Sequence, residues 1–370
     1  MMSIDEIIAQ KIATRCCRRQ LEKSKNILEI VKECCEDLRI AIPKLICCET
    51  LFRNFSAFHL REKPYLIYDS CLAETLYLYD YIVFTGKKRS DLDKLFYKLI
   101  GEELLRQDDL AHCMYFAGKY QQSKFSFEEK NQPSEMMRLI SKQSYFLIAH
   151  ELTHLSLHPK GYDEIPEEYK KFVYISVKKL TEHAVKENSV EHFLEERYKY
   201  FLDELPATLE EYYERLRDSR RFYHFIEECY CDFRGIKLLM EHYENAEESI
   251  EAVSIAMNYL IVQEAIRDDL EDGILYMSDS KLTASMSMYL SVLRMEMLLV
   301  TLQFSGLKDI EHVFYRIQGD IELTNYLKTF VSTLPTKNSF DKITEVDLPN
   351  IERKNIASFL MQQFYFIHFS

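Results

Sequence analysis

The sequence predicts a mainly α-helical chain with a small β-sheet, an α+β architecture, and three observations lead there. Glycine and proline number 8 each in 370 residues, and that is roughly a third of ordinary glycine usage. Both residues punctuate turns and hairpins, so their scarcity favours long helices. Apolar residues recur at helical spacing through most of the chain, and only Pro64-Tyr65-Leu66-Ile67-Tyr68-Asp69 reads as a β-like run.

From Ile4 to about Leu38, apolar positions such as Ile7, Ile8, Ile12, Ile27, Ile30 and Val31 predict one or two amphipathic helices ending before Pro43. After the β-like run come helical patterns over Cys71–Phe84, stopped at Gly86, and over Asp91–Leu105. The aromatic-rich stretch from His112 to Phe127 is expected to form a hairpin or a sheet edge. Ser134 after Pro133 starts a helix expected to reach His158, because Pro159 and Gly161 stop it. Residues 166–221 are heavily charged and free of glycine, with a break at Pro206, and predict two or three solvent-facing helices. Further helices are expected over Phe222–Tyr243, Glu247–Ile266 and Leu282–Phe304. With no repeat or Pro/Ser-rich linker, residues 1–370 read as one unit with an N-terminal helical segment (1–45) and a C-terminal helical region (246–370).

Composition narrows the function. The eight glycines all stand alone, so neither common phosphate-cradling glycine loop can be built. The net charge of −13, with only short mixed basic runs such as Arg15 to Arg19, disfavours nucleic acid and anionic membranes as partners. No stretch approaches the ~18 uncharged apolar residues of a membrane helix, and the first twenty residues lack an apolar signal core. A cytoplasmic protein is expected. The ten cysteines include the adjacent pairs Cys16-Cys17, Cys34-Cys35 and Cys47-Cys48 but no C-x-x-C spacing, so they read as small core hydrophobes.

The chemistry lies in His150-Glu151-Leu152-Thr153-His154. Residues four apart share a helix face, so His150 and His154 can turn both imidazoles to one point, as two ligands of a tetrahedral zinc require. Glu151 leans over the same side, where it can accept a proton from a water activated by the metal. A chance match to this pattern arises in roughly a few per cent of chains this long, but the preceding apolar run Phe146-Leu147-Ile148-Ala149 suits a helix buried beside a cleft.

A third protein ligand is required. His158 fails, because eight helical residues rise ~12 Å from His150. The longer H-E-x-x-H-x-x-G-x-x-H pattern fails too, with Leu157 at the glycine position and Lys160 at the third histidine. Glu228 is the better choice: with Asp232 it stands four residues apart on a later helix, one to bind metal and the other to accept the second N–H of a ligand histidine. A helical wheel places adjacent Glu227 on the solvent side. Should Glu228 fail, His183, His192 or Asp163 remain as third ligand. Cys229 and Cys231 read as packing residues. For a group to stabilise a tetrahedral intermediate, Arg294, Tyr289, Tyr276 and His224 are equal candidates.

HELTH followed on a later helix by E-x-x-x-D resembles the gluzincin arrangement of zinc metallopeptidases, nearest in flavour to short intracellular ImmA/IrrE-like and phage-exclusion (Lit-like) peptidases. The resemblance covers about residues 64–86, 134–158 and 222–240. It implies a zincin-like catalytic core over about 60–245, interrupted by the charged insertion 160–221, which is expected to narrow the cleft. It also implies one zinc and hydrolysis of a peptide bond in a specific protein substrate. The other expectation is a regulatory or defence protein whose zinc domain mainly binds a partner. Glu151 argues for the enzyme, since a binding module has no use for that base.

Overall fold

The computed structural model describes residues 25–49, 53, 55–60, 62–84, 89–123, 134–187, 189–271 and 286–307, with short stretches between 326 and 364. Helix α1 (Lys25–Leu38) leads into strands β1 (Lys44–Cys48), β2 (Ser56–Leu60) and β3 (Lys63–Asp69). Helices α2 (Ser70–Phe84), α3 (Arg89–Arg106) and α4 (Leu110–Gln122) follow, then the long α5 (Ser134–Leu157) bearing both motif histidines. After a 3-10 turn at Gly161–Glu164 come α6 (Glu167–Glu187), α7 (Val190–Arg197), α8 (Leu209–Leu216), α9 (Arg220–His242), α10 (Ala246–Glu271) and α11 (Met286–Phe304). The chain is mainly helical with one small mixed sheet. None of the described helices is long and apolar enough to cross a membrane.

The sheet holds two strands besides the one expected at Pro64–Asp69. β3 lies in the middle, parallel to β1 with Lys44 opposite Tyr65, and antiparallel to β2 with Ser56 opposite Ile67. β1 escaped the sequence reading because Leu45, Ile46, Cys47 and Cys48 are all buried, so the strand has no polar face to alternate with. β2 is short and half-buried along its whole length, which gives no alternation either.

The hairpin expected from His112 is corrected to helix α4; its remainder, from 124 to 127, lies outside the described residues. The buried positions Leu110, Cys113, Phe116, Ala117 and Tyr120 repeat at three and four residues, forming one helix face. Asp109 caps it by accepting from the His112 backbone N–H at 3.2 Å. The helix expected from Ile4 is seen from Lys25 onward, and its earlier part lies outside the described residues, as do Arg15 to Arg19 and Cys16-Cys17. The eight described cysteines are all free and buried.

Helix α5 is the hub, packed against α1, α2, α9, α10 and β2. Tyr145, Phe146, Leu147, Ile148 and Ala149 are all buried, so this stretch is enclosed around its circumference rather than along one stripe. Two apolar clusters meet beside it. The larger joins the sheet, α1 to α5 and α10; the smaller lies beneath α6, α7, α8 and the first half of α9. Charge is buried as well. Arg53, 1% exposed just before β2, pairs with Glu102 at 3.1 Å and Glu103 at 3.6 Å, while Lys98 binds Glu102 at 2.6 Å. Both partners are in place in each pair, so neither leaves a lone charge in the core.

The closest approach of α9 to α5 falls at Gly235. A Cβ there would stand 3.2 Å from the Phe146 carbonyl oxygen and 3.3 Å from the His150 backbone nitrogen. Those atoms belong to a fixed helix and cannot rotate away, so a methyl group must push α9 outward. Gly235→Ala is therefore expected to lower the melting temperature, an overpacking loss of about 1–3 kcal/mol, although alanine is the better helix former by ~1 kcal/mol. A melting temperature equal to or above the parent's would refute this account of the contact.

Candidate metal centre

Helix α5 presents His150 and His154 one turn apart, and α9, started by Ser219 accepting from the Phe222 N–H at 3.2 Å, presents Glu228 opposite them. Among the described residues these three form the group of His, Cys, Asp and Glu that could hold a metal ion. The two imidazole Nε2 atoms are 3.3 Å apart. Glu228 Oε1 is 3.2 Å from His154 Nε2, and Oε2 is 3.5 Å from His150 Nε2. Two donors bound to one ion at ~2.0–2.1 Å and at the tetrahedral angle sit about 3.3–3.4 Å apart. The Nε2–Nε2 spacing and the distance from Glu228 Oε1 to His154 Nε2 fall near that value, and one ligand atom from each of the three residues lies within 4.8 Å of the other two, so the residues present fit zinc.

Both imidazoles are held from behind. His150 Nδ1 is 2.9 Å from Asp232 Oδ1 on α9. His154 Nδ1 is 2.9 Å from Glu227 Oε1. A carboxylate on the far nitrogen fixes the ring and keeps Nε2 turned toward the common point. Burial alone would lower the His150 pKa, but Asp232 and Glu228 outweigh it and lift it to about 9. Burial likewise opposes charge on His154, yet contacts to Cys231, Glu227 and Glu228 raise it strongly. Asp232 and Glu228 are held below their ordinary values against the pull of burial, in each case first by Arg294 and then by the histidines. Burial pushes the Cys231 thiol up to about 12, so it stays protonated beside His154.

Glu227 is a correction. The wheel put it in solvent, but its side chain is only 22% exposed and serves His154. That wheel took the stripe through Phe225, Cys229 and Phe233 as the only buried face. Cys231, Gly235 and Leu238 form a second buried face, turned to α5, and Glu227 lies on its margin. Gly161 confines the same carboxylate: its backbone has φ +54°, and a Cβ there would lie 3.2 Å from Glu227 Oε2. The adjacent pair in the sequence was the available signal, since two neighbouring carboxylates can serve two histidines a turn apart.

Glu151 points to the same space. Its Oε2 accepts the Ala57 N–H of β2 at 2.9 Å, which ties the motif helix to the sheet edge. Burial pushes the Glu151 carboxyl above its ordinary value, with His150 and His154 opposing. A cavity of about 410 Å³, lined in part by His150, Glu151 and Glu228, opens here, with Phe146, Leu147 and Met257 supplying apolar wall. Among the described residues of the charged stretch 160–221, Arg221 alone lines it, and much of the apolar part of that stretch belongs to the second apolar cluster.

The four polar groups singled out for stabilising an intermediate separate clearly. Arg294 lines the cavity and is held by both carboxylates, with Nε and Nη2 each 2.8 Å from Asp232 and Nη1 2.9 Å from Glu228. Tyr289 stacks on Tyr200 with centroids 4.2 Å apart, beneath Arg197, and is not among the cavity's lining residues. Exposed His224 lies on the cavity wall, its Nε2 3.8 Å from Glu228 Oε1. Tyr276 lies outside the described residues. His158, rejected on distance, stacks on His59 with centroids 3.8 Å apart. His192 is an exposed partner of Glu196, and neither His183 nor Asp163 belongs to the metal-binding group.

No protein-family model matches the sequence, and no match was found among curated proteins or solved structures, so the gluzincin resemblance rests on the motif residues alone.

Glu227→Ala should weaken zinc binding by roughly 10–100-fold, the usual effect of losing a ligand's carboxylate partner, and Glu228→Ala should weaken it further. Competition against a chromophoric chelator measures both. Unchanged affinity in Glu227→Ala would mean that the 2.9 Å contact does not orient His154.

Proposed function

We propose that this chain is a zinc-dependent peptidase with a zincin-like core, hydrolysing a peptide bond in a protein or peptide substrate. The observation that carries the reading is the triad His150, His154 and Glu228, whose ligand atoms, one from each residue, all lie within 4.8 Å of one another, with the two Nε2 atoms 3.3 Å apart and Glu151 lining the same cavity. Zinc held there would supply Lewis acidity, lowering the pKa of a water and polarising a carbonyl.

The chain's own residues supply the rest. Glu151 is the general base: it takes the proton of the attacking water and returns it to the departing amine. The Ala57 N–H holds Oε2, which fixes the carboxylate plane and leaves Oε1 for the proton. A carboxyl raised by burial gives a proton up more slowly and accepts one more readily, as a base working near neutrality requires. Asp232 and Glu227 hold the ligand imidazoles in place. The apolar wall excludes water from one side of the cleft, where a substrate side chain can lodge. Free, buried cysteines suit a reducing compartment, and a cytoplasmic setting belongs to the proposal. A partner-binding protein would need the metal but not Glu151, and for that reason the hydrolytic reading is preferred.

Glu151→Gln should retain the zinc content of the parent while peptide hydrolysis falls by roughly 10²–10⁴-fold. Zinc analysis is to be run alongside cleavage of a diverse peptide pool, read by mass spectrometry. Equal cleavage by parent and variant would remove Glu151 from the mechanism.

A further inference from the structure

Arg294 on α11 joins two carboxylates of the site. Its guanidinium meets Asp232 side-on, Nε to Oδ2 and Nη2 to Oδ1 at 2.8 Å each, and turns Nη1 to Glu228 Oε2 at 2.9 Å. The two carboxylates it joins have different tasks. Asp232 orients His150 through the same Oδ1, while Glu228 faces both imidazoles. They stand one turn apart on α9, where like charges repel, and Glu151 and Glu227 add two more negative groups nearby. The planar fork grips Asp232 through two nitrogens while a third reaches Glu228, a fixed geometry that a lysine ammonium on a flexible stem does not reproduce.

The two oxygens of Glu228 are thereby made unequal. Oε2 carries the guanidinium at 2.9 Å. Oε1 faces His154 Nε2 at 3.2 Å and the exposed His224 Nε2 at 3.8 Å. Without the guanidinium, each oxygen would lie opposite one imidazole, at 3.2 and 3.5 Å, an arrangement suited to gripping an ion with both.

We propose that Arg294 is a positioning residue that reserves Oε2 of Glu228, so that this side chain offers a metal one oxygen and the fourth tetrahedral position stays open for water. This rests on the zinc reading above and goes beyond it in saying what keeps the site four-coordinate. All three guanidinium nitrogens contact Asp232 or Glu228, so its action on the metal site runs through those two carboxylates.

The test replaces zinc with Co²⁺ in the full chain and compares the parent with Arg294→Gln and Arg294→Lys. The visible absorption of Co²⁺ is intense in a tetrahedral site and weakens as coordination number rises. The parent is expected to show the intense tetrahedral bands. Both variants should lose much of that intensity, with metal affinity reduced by roughly 10–100-fold, as for other partners of ligand side chains. Circular dichroism reports folding. Should Arg294→Gln fail to fold, Arg294→Lys, which keeps the charge but loses the planar fork, decides alone. Parent-like bands and affinity in a folded variant would overturn the role of Arg294 while leaving the zinc site standing. A parent chain that takes up no Co²⁺ would overturn the metal reading and this inference with it.

Discussion

Everything at the centre of this protein depends on how closely α9 can lie against α5. Gly235 permits that approach, with the Phe146 carbonyl and the His150 amide where a side chain would otherwise be. One turn or two nearer the start of α9, the same approach brings Asp232, Glu228 and Glu227 within reach of His150 and His154. Polar groups so enclosed require partners, because an unpaired buried charge costs several kcal/mol. The pairing is reciprocal: the carboxylates hold protons on the imidazoles, and Arg294 with the imidazoles holds Asp232 and Glu228 ionised. In zinc binding, the metal would take the place of protons at Nε2, while the Nδ1 nitrogens stay with Asp232 and Glu227.

The surrounding fold serves this contact. The two apolar clusters lie to either side of it, so the site forms where separately packed regions meet along α5 and α9. α11 delivers Arg294 from a third direction, and β2 delivers the Ala57 amide to Glu151. The buried Arg53 pairs anchor the approach to β2, and the Arg53 carbonyl also accepts from Gln263 of the cavity wall at 3.4 Å. The sheet edge, the motif helix and the far wall of the cleft are thus tied together through polar contacts, which are directional where apolar packing is not.

Much of the helical framework was legible because amphipathic spacing and stop residues are local signals. Helix α5 begins at Ser134 and ends just before His158 and Pro159, as those residues dictate. The spacing of His150, His154, Glu228 and Asp232 was legible for the same reason, since residues four apart must share a face. Three things were not. β1 is buried on both faces and so carries no alternation. The α4 segment has aromatic residues that favour strands, but its packing face and Asp109 cap decide for helix. Glu227 was misplaced because a wheel ranks one helix by its own apolar stripe and knows nothing of a second helix packed on another side. Arg294 could be named among polar residues after the motif, but its bridging of Asp232 and Glu228 depends on tertiary placement that no spacing encodes.

The measurement closest to the central claim is zinc K-edge X-ray absorption on the purified, zinc-loaded chain. The account predicts a four-coordinate first shell at roughly 2.0–2.1 Å, made of two imidazole nitrogens, one carboxylate oxygen and one further light atom. A chain that retains no zinc, a shell containing sulfur, or a shell unaltered by His150→Ala would contradict it.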